Sequence, residues 1–123
     1  LLVPSVWEEP FGRVAAEAIL NGIPPIVADR GGLPEAAAGG GFVLPLPKTL
    51  TTTTVNPVPA TQVRAWKAMA IRLMTDDGFY AEARARARAA AAAFAPEVLH
   101  ERTVGFFEAV ERRPGPTAGP FEG

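Results

Sequence analysis

The sequence predicts an α/β fold: about three short parallel strands with flanking helices, followed by a helical C-terminal half. Three observations carry this. Short apolar runs ("LLVPS", "PPIVAD", "GFVLPL") recur between loops marked by Gly and Pro. A helical apolar period lies between the first two runs. From Thr61 onward the spacing is helical, with no strand-like run. Strand, helix, strand, short helix, strand is the rhythm of a parallel sheet, whose crossovers are expected to be right-handed.

Taken in order, "LLVPS" is a buried strand ended by Pro4 and Ser5. "FGRVAAEAILNG" is a helix opening near Phe11, with Val14, Ala15, Ala18 and Ile19 toward the core and Asn21-Gly22 as its stop. "PPIVAD" is the second strand, with its prolines at the entry. "RGGLPEAAAGGG" is a glycine-punctuated loop with room for one helical turn at Pro34, whose ring pre-sets the helical φ. "GFVLPL" is the third strand, and "PKTLTTTTVNPVPA" is a surface connector without helical period. A helix then presents Val63, Trp66, Met69, Ala70 and Leu73 on one face and stops at "TDDG". "FYAEARARARAAAAAF" is a second helix. Pro96 opens a third, in which Val98, Leu99, Val104, Phe106, Phe107 and Val110 are expected to pack. The reading is one partial domain over residues 1–111 and a flexible Pro/Gly-rich tail over 112–123.

Composition excludes several functions. With 12 basic and 13 acidic residues among 123, there is no electrostatic footprint for nucleic acid or an anionic membrane. No run is long enough to span a bilayer. With no cysteine, disulfides and thiolate metal sites are ruled out, and one histidine makes no metal site. The expected compartment is the cytoplasm. The chain opens on Leu1 with no charged leader before it, so the expectation is a segment of a longer polypeptide. Three parallel strands also leave a sheet edge wanting a neighbour. A homo-oligomer formed through that unpaired edge is one expectation.

The stretch "EEPFGRVAAE" carries the chemistry. From Phe11 to Glu17, six helical steps cover roughly 9 Å, about the span of a diphosphate with a sugar at each end. Free N–H groups at the helix start, with Gly12 offering no side chain, suit an anion. A carboxylate at Glu17 repels phosphate but suits a diol, whose hydroxyls both donate to it, as a ribose offers. Glu9, in the loop before the helix, is within reach of a sugar or of positive charge developing on it.

"PSVWEEPFGRVAAEAILNGIPPIVADRGGLPE" resembles the donor-binding segment of the retaining glycosyltransferases of GT-B fold often called glycosyl transferase group one. Their hallmark is a Glu, seven residues and a second Glu, within E-[GP]-F-G…EA…G-P-V-[IV]…G-G-x-P-E. Glu9 and Glu17 supply that spacing, and Glu8 misses it by one. The resemblance is specific over about residues 3 to 47 and weaker to 111. It implies a partial Rossmann-like C-terminal domain, with Glu17 on the nucleotide ribose and Glu9 beside the donor sugar as the catalytic carboxylate. The backbone of Pro10, Phe11 and Gly12 lines the sugar and diphosphate on this reading, and that of Gly31 and Gly32 lines the cleft. It implies a nucleotide-sugar donor as partner, no cofactor and no metal. The acceptor stays unnamed, held by a domain outside these residues. The basic pair that neutralises the leaving diphosphate belongs to an earlier segment, so these residues alone are expected to be inactive or nearly so. Pro25 departs from the pattern, standing where Val is usual and removing a backbone donor at a strand start.

Each reading has a plainer competitor. Glu17 is also placed for a surface pair with Arg13, and Glu9 for a helix-dipole carboxylate. Glu35 reads as a first-turn helix carboxylate, His100 as a solvated helix residue, and Arg84, Arg86 and Arg88 as a solvated face. Phe106 and Phe107 read as core. The alternative to an enzyme is a non-catalytic nucleotide-sugar-binding or dimerisation module.

Overall fold

Pro4 ends the first strand after two residues, so β1 is only Leu2–Val3. The computed structural model describes residues 1–55 and 57–112. Its sheet runs β1-β2-β3, with β2 at Ile26–Ala28 and β3 at Phe42–Leu44, and both pairings are parallel. Val27 points to one face of β2 and Ile26 and Ala28 to the other, yet all three are buried, as in a central strand covered on both sides. Pro25 sits one residue before that strand. Its missing N–H costs the ladder nothing there, because Ile26 N donates to Leu1 O and Pro25 O accepts from Phe42 N, both at 2.8 Å.

Helix α1 is Arg13–Leu20. It opens two residues later than the expected Phe11 because Gly12 is left-handed (φ 89°, ψ 57°) and cannot continue a helical run. The buried stripe is Ala15, Ala16, Ala18 and Ile19. Val14, expected in the core, is 49 % exposed, since the helix is rotated to seat Ala16 instead. Asn21 caps the helix and Gly22 turns the chain at φ 65°. Helix α2, Leu33–Ala36, has Pro34 in its first turn, packs on β2, and is in turn covered by α1.

The C-terminal half holds α3 (Arg64–Thr75), α4 (Asp77–Ala90), a 3-10 turn (Ala91–Phe94) and α5 (Pro96–Glu111). The α3 face is the expected one: Trp66 is buried, and Met69, Ala70 and Leu73 pack against the core around β2. Trp66 Nε1 donates to Pro45 O at 3.1 Å, so its burial leaves no polar atom unpaired. Asp76 alone separates α3 from α4, and its carboxylate caps the new helix by accepting from Phe79 N at 2.9 Å. Along the β3 side of the sheet, Phe42 meets Phe79 with ring centroids 5.5 Å apart. Arg72 lies over Phe79 at 3.8 Å and Arg86 over Phe42 at 4.5 Å. The arginines of α4 are exposed, as expected, but Arg86 also serves as a lid on an aromatic pair.

The last helix corrects the sequence reading. No residue of α5 is buried, and Phe106 and Phe107 are 63 % and 60 % exposed, stacked edge-on with each other. Their apolar spacing is amphipathic, but among the described residues no element lies opposite that face. No helix among the described residues is long and apolar enough to cross a membrane. The expected flexible tail lies outside the described residues, apart from Arg112.

The contrast between α3 and α5 is measurable. Trp66→Ala should cost about 3–5 kcal/mol and Trp66→Phe about 1 kcal/mol. Phe106→Glu should stay within about 0.5 kcal/mol of wild type. Urea unfolding followed by circular dichroism checks all three.

Candidate functional site

Parallel strands deliver their C-terminal ends to one edge of the sheet, so three loops meet there: 4–12 after β1, 29–32 after β2, and 45–50 after β3. Arg30 holds them together. Its side chain is only 13 % exposed, and its guanidinium donates to Val6 O (3.4 Å), Pro47 O (2.9 Å) and Leu50 O (3.3 Å). The planar fork suits this task because one group reaches carbonyls on two different loops. Glu8 stands 3.8 Å from it and accepts from Gly31 N at 2.8 Å.

Gly31 and Gly32 lie beneath the first loop. Gly32 N donates to Glu9 O at 2.6 Å, and Gly31 is left-handed at φ 52°. A Cβ on Gly31 would collide with the Glu9 backbone, and one on Gly32 would lie 2.6 Å from Phe11 Cα and from Pro10 O. The glycine pair therefore lets two backbones touch. Both N–H groups are already engaged, one by the Glu8 carboxylate and one by the Glu9 carbonyl. Gly12 packs as closely: a Cβ there would sit 2.5 Å from Leu33 Cδ2.

Above this support a cavity of about 390 Å³ is lined by Glu9, Pro10, Phe11, Gly12, Arg13, Val14 and Leu33. Glu9 is half-buried, and Ser5 Oγ donates to its Oε1 at 3.3 Å. The N–H groups of Gly12, Arg13 and Val14 donate to nothing among the described residues. A left-handed residue followed by a helical one aims successive N–H groups into one concavity, a shape suited to an anion. Glu17 lies four residues into α1, about 6 Å along the axis from Arg13. The two side chains meet at 3.4 Å and are 58 % and 86 % exposed. A pair this open is worth about 0.3–0.5 kcal/mol and gives way easily to a better partner.

Of the residues the sequence singled out, Glu9, Pro10, Phe11 and Gly12 share this cavity. Glu17 stands on the exposed face of the helix leaving it, and Gly31 and Gly32 form the support below. Glu35 lies in the first turn of α2, as expected, and lines a different cavity. Three residues of consequence were missed. Glu8, set aside for its spacing, caps Gly31. Arg30, to which the sequence reading gave no role, braces the loops. Phe94 meets Phe11 edge-on, with ring centroids 6.3 Å apart. The only signal for Arg30 was its position directly before Gly-Gly.

The family model described as glycosyl transferases group 1 matches residues 1–93, about three quarters of the chain. No curated protein and no solved structure matches the chain.

The backbone contact should be intolerant of a single methyl group. Gly32→Ala is expected to lose about 1–3 kcal/mol through the forced displacement of the Pro10–Phe11 backbone. Gly105→Ala, with open space around it in α5, is expected to gain up to about 1 kcal/mol. Thermal or urea denaturation of the two variants separates the effects.

Proposed function

The chain belongs to the group 1 glycosyl transferases, and from that premise we propose that Glu9–Glu17 is the donor-binding segment of a retaining enzyme. The observation that carries this is the placement of a half-buried carboxylate and three free helix-start N–H groups around one cavity, with a second carboxylate further along the same helix. Those are the three chemistries a nucleoside-diphosphate sugar requires. The diphosphate takes the N–H groups of Gly12, Arg13 and Val14 and the positive end of α1. The ribose diol donates to Glu17, which gives up its weak pair with Arg13. The freed Arg13 guanidinium, on the cavity wall, is then available to the phosphate.

Glu9 faces the other end of the donor. In transfer, the bond between the sugar's anomeric carbon and the diphosphate oxygen breaks, and the nucleoside diphosphate leaves with the electron pair. An acceptor hydroxyl bonds to the same carbon, on the same face, and its proton passes to the oxygen of the leaving diphosphate. The sugar carries oxocarbenium-like charge between these events, and the Glu9 carboxylate, held by Ser5, stabilises it electrostatically. The backbone of Pro10 and Phe11 lines the sugar, supported from below by Gly31 and Gly32. The donor arrives activated, so no cofactor enters the reading, and no metal is called on to hold the diphosphate. The acceptor is bound by parts of the enzyme other than this site. On this reading the domain is the C-terminal half of a GT-B architecture.

Uridine and guanosine diphosphates titrated by calorimetry against wild type and Glu17→Ala test the ribose assignment. A carboxylate holding a diol supports about a tenfold or greater loss in the variant for whichever base binds. Equal affinity in both proteins would refute it. In the parent enzyme, Glu9→Gln should leave nucleotide affinity within about twofold and lower turnover by tenfold or more. Proton NMR of the product should show the donor's anomeric configuration.

A further inference from the structure

Phe11 is the shared wall of two cavities. On one side is the space of about 390 Å³ containing Glu9 and Gly12. On the other is a larger one of about 660 Å³, lined by Glu35, Ala38, Phe94, Leu99 and Arg102. The main chain of Phe11 is fixed, because Gly32 lies directly beneath it and Gly12 follows in a left-handed conformation. What remains free is the ring, which has three staggered positions about χ1. The larger cavity has room to receive it.

We propose that Phe94 is a positioning residue for the donor loop, its ring edge holding Phe11 at the sugar end of the cavity beside Glu9. The contact is edge-to-face, at 76° and 6.3 Å between centroids, a geometry worth more than its buried area alone. Phe94 is half-buried. It closes the 3-10 turn that packs against α1, and Ala95 then turns to extended backbone before Pro96 starts α5. The family match ends at residue 93, so this contact lies just beyond the matched pattern. With the Phe94 ring removed, Phe11 swings into the larger cavity and the sugar end loses its wall. The phosphate and ribose contacts on α1 are untouched. This inference rests on the donor reading above for its ligand, though not for the contact itself.

The test uses the 123-residue chain with Phe94→Leu, which keeps an apolar side chain, and Phe94→Tyr, which keeps the ring. UDP-glucose and GDP-mannose serve as nucleotide-sugar probes, and UDP and GDP as probes lacking only the donor sugar. Phe94→Leu is expected to weaken the nucleotide sugar by about threefold to tenfold and leave the diphosphate unchanged. Phe94→Tyr should stay within about twofold of wild type for both. Three-bond couplings reporting Phe11 χ1 should show one rotamer in wild type and Phe94→Tyr, and averaging in Phe94→Leu. An equal loss for both ligand classes, or no loss, overturns the proposal, because a general weakening of the fold would not discriminate by the sugar. Failure of wild type to bind any of the four probes overturns the donor reading instead. The χ1 couplings then decide the contact alone, and a single Phe11 rotamer in Phe94→Leu overturns it.

Discussion

The site depends on two stretches of main chain being allowed to touch. Gly31 and Gly32 run directly under Glu8–Phe11, and the Gly32 N–H to Glu9 carbonyl bond, at 2.6 Å, locks them together. Any side chain at either glycine would have to occupy space already filled by backbone. This contact sets the height of the Glu9 loop above the sheet. It thereby sets where the Glu9 carboxylate and the start of α1 lie relative to each other. The left-handed turn at Gly12 completes the constraint, because it decides which N–H groups begin the helix unpaired.

Charge is distributed around that contact by function. Arg30 is nearly enclosed and spends its donors on carbonyls of the loops after β1 and β3, so it acts as a brace for three chain segments. Glu8, its exposed companion, neutralises it and closes the Gly31 N–H. Glu9 lines the cavity, and Arg13, on the wall of that cavity, forms an exposed pair with Glu17. Adjacent glutamates thus have opposite duties: one ties the loop down and its neighbour is presented by it. A charge committed to backbone carbonyls is costly to withdraw, whereas an exposed pair is easily exchanged for a ligand.

The helical half supports the sheet unevenly. Trp66 fills the core with its indole N–H satisfied, and the Arg72–Phe79–Phe42–Arg86 stack covers the β3 side. Beyond the 3-10 turn the packing thins until α5 carries only exposed residues from Leu99 onward. Where that change occurs, Phe94 meets Phe11.

The sequence by itself determined the local elements and the family. Apolar runs between prolines and glycines marked the strands, the 3.6 period marked α1 and α3, and Asn21-Gly22 and Pro96 marked boundaries. All of these depend on residues a few positions apart. The Glu9–Glu17 spacing with Phe-Gly and Gly-Gly-x-Pro-Glu carried the resemblance that the family match then established. Only the tertiary structure decided that Glu8 is a brace, that Arg30 reaches residues 24 positions back and up to 20 ahead, that Phe11 meets Phe94, and that Phe106 and Phe107 face outward. The physical reason is the same in each case. Periodicity shows which face of an element is apolar and which residues neighbour each other along the chain. Whether another segment arrives to cover that face, or to accept a given hydrogen bond, is settled by contacts between elements far apart in sequence.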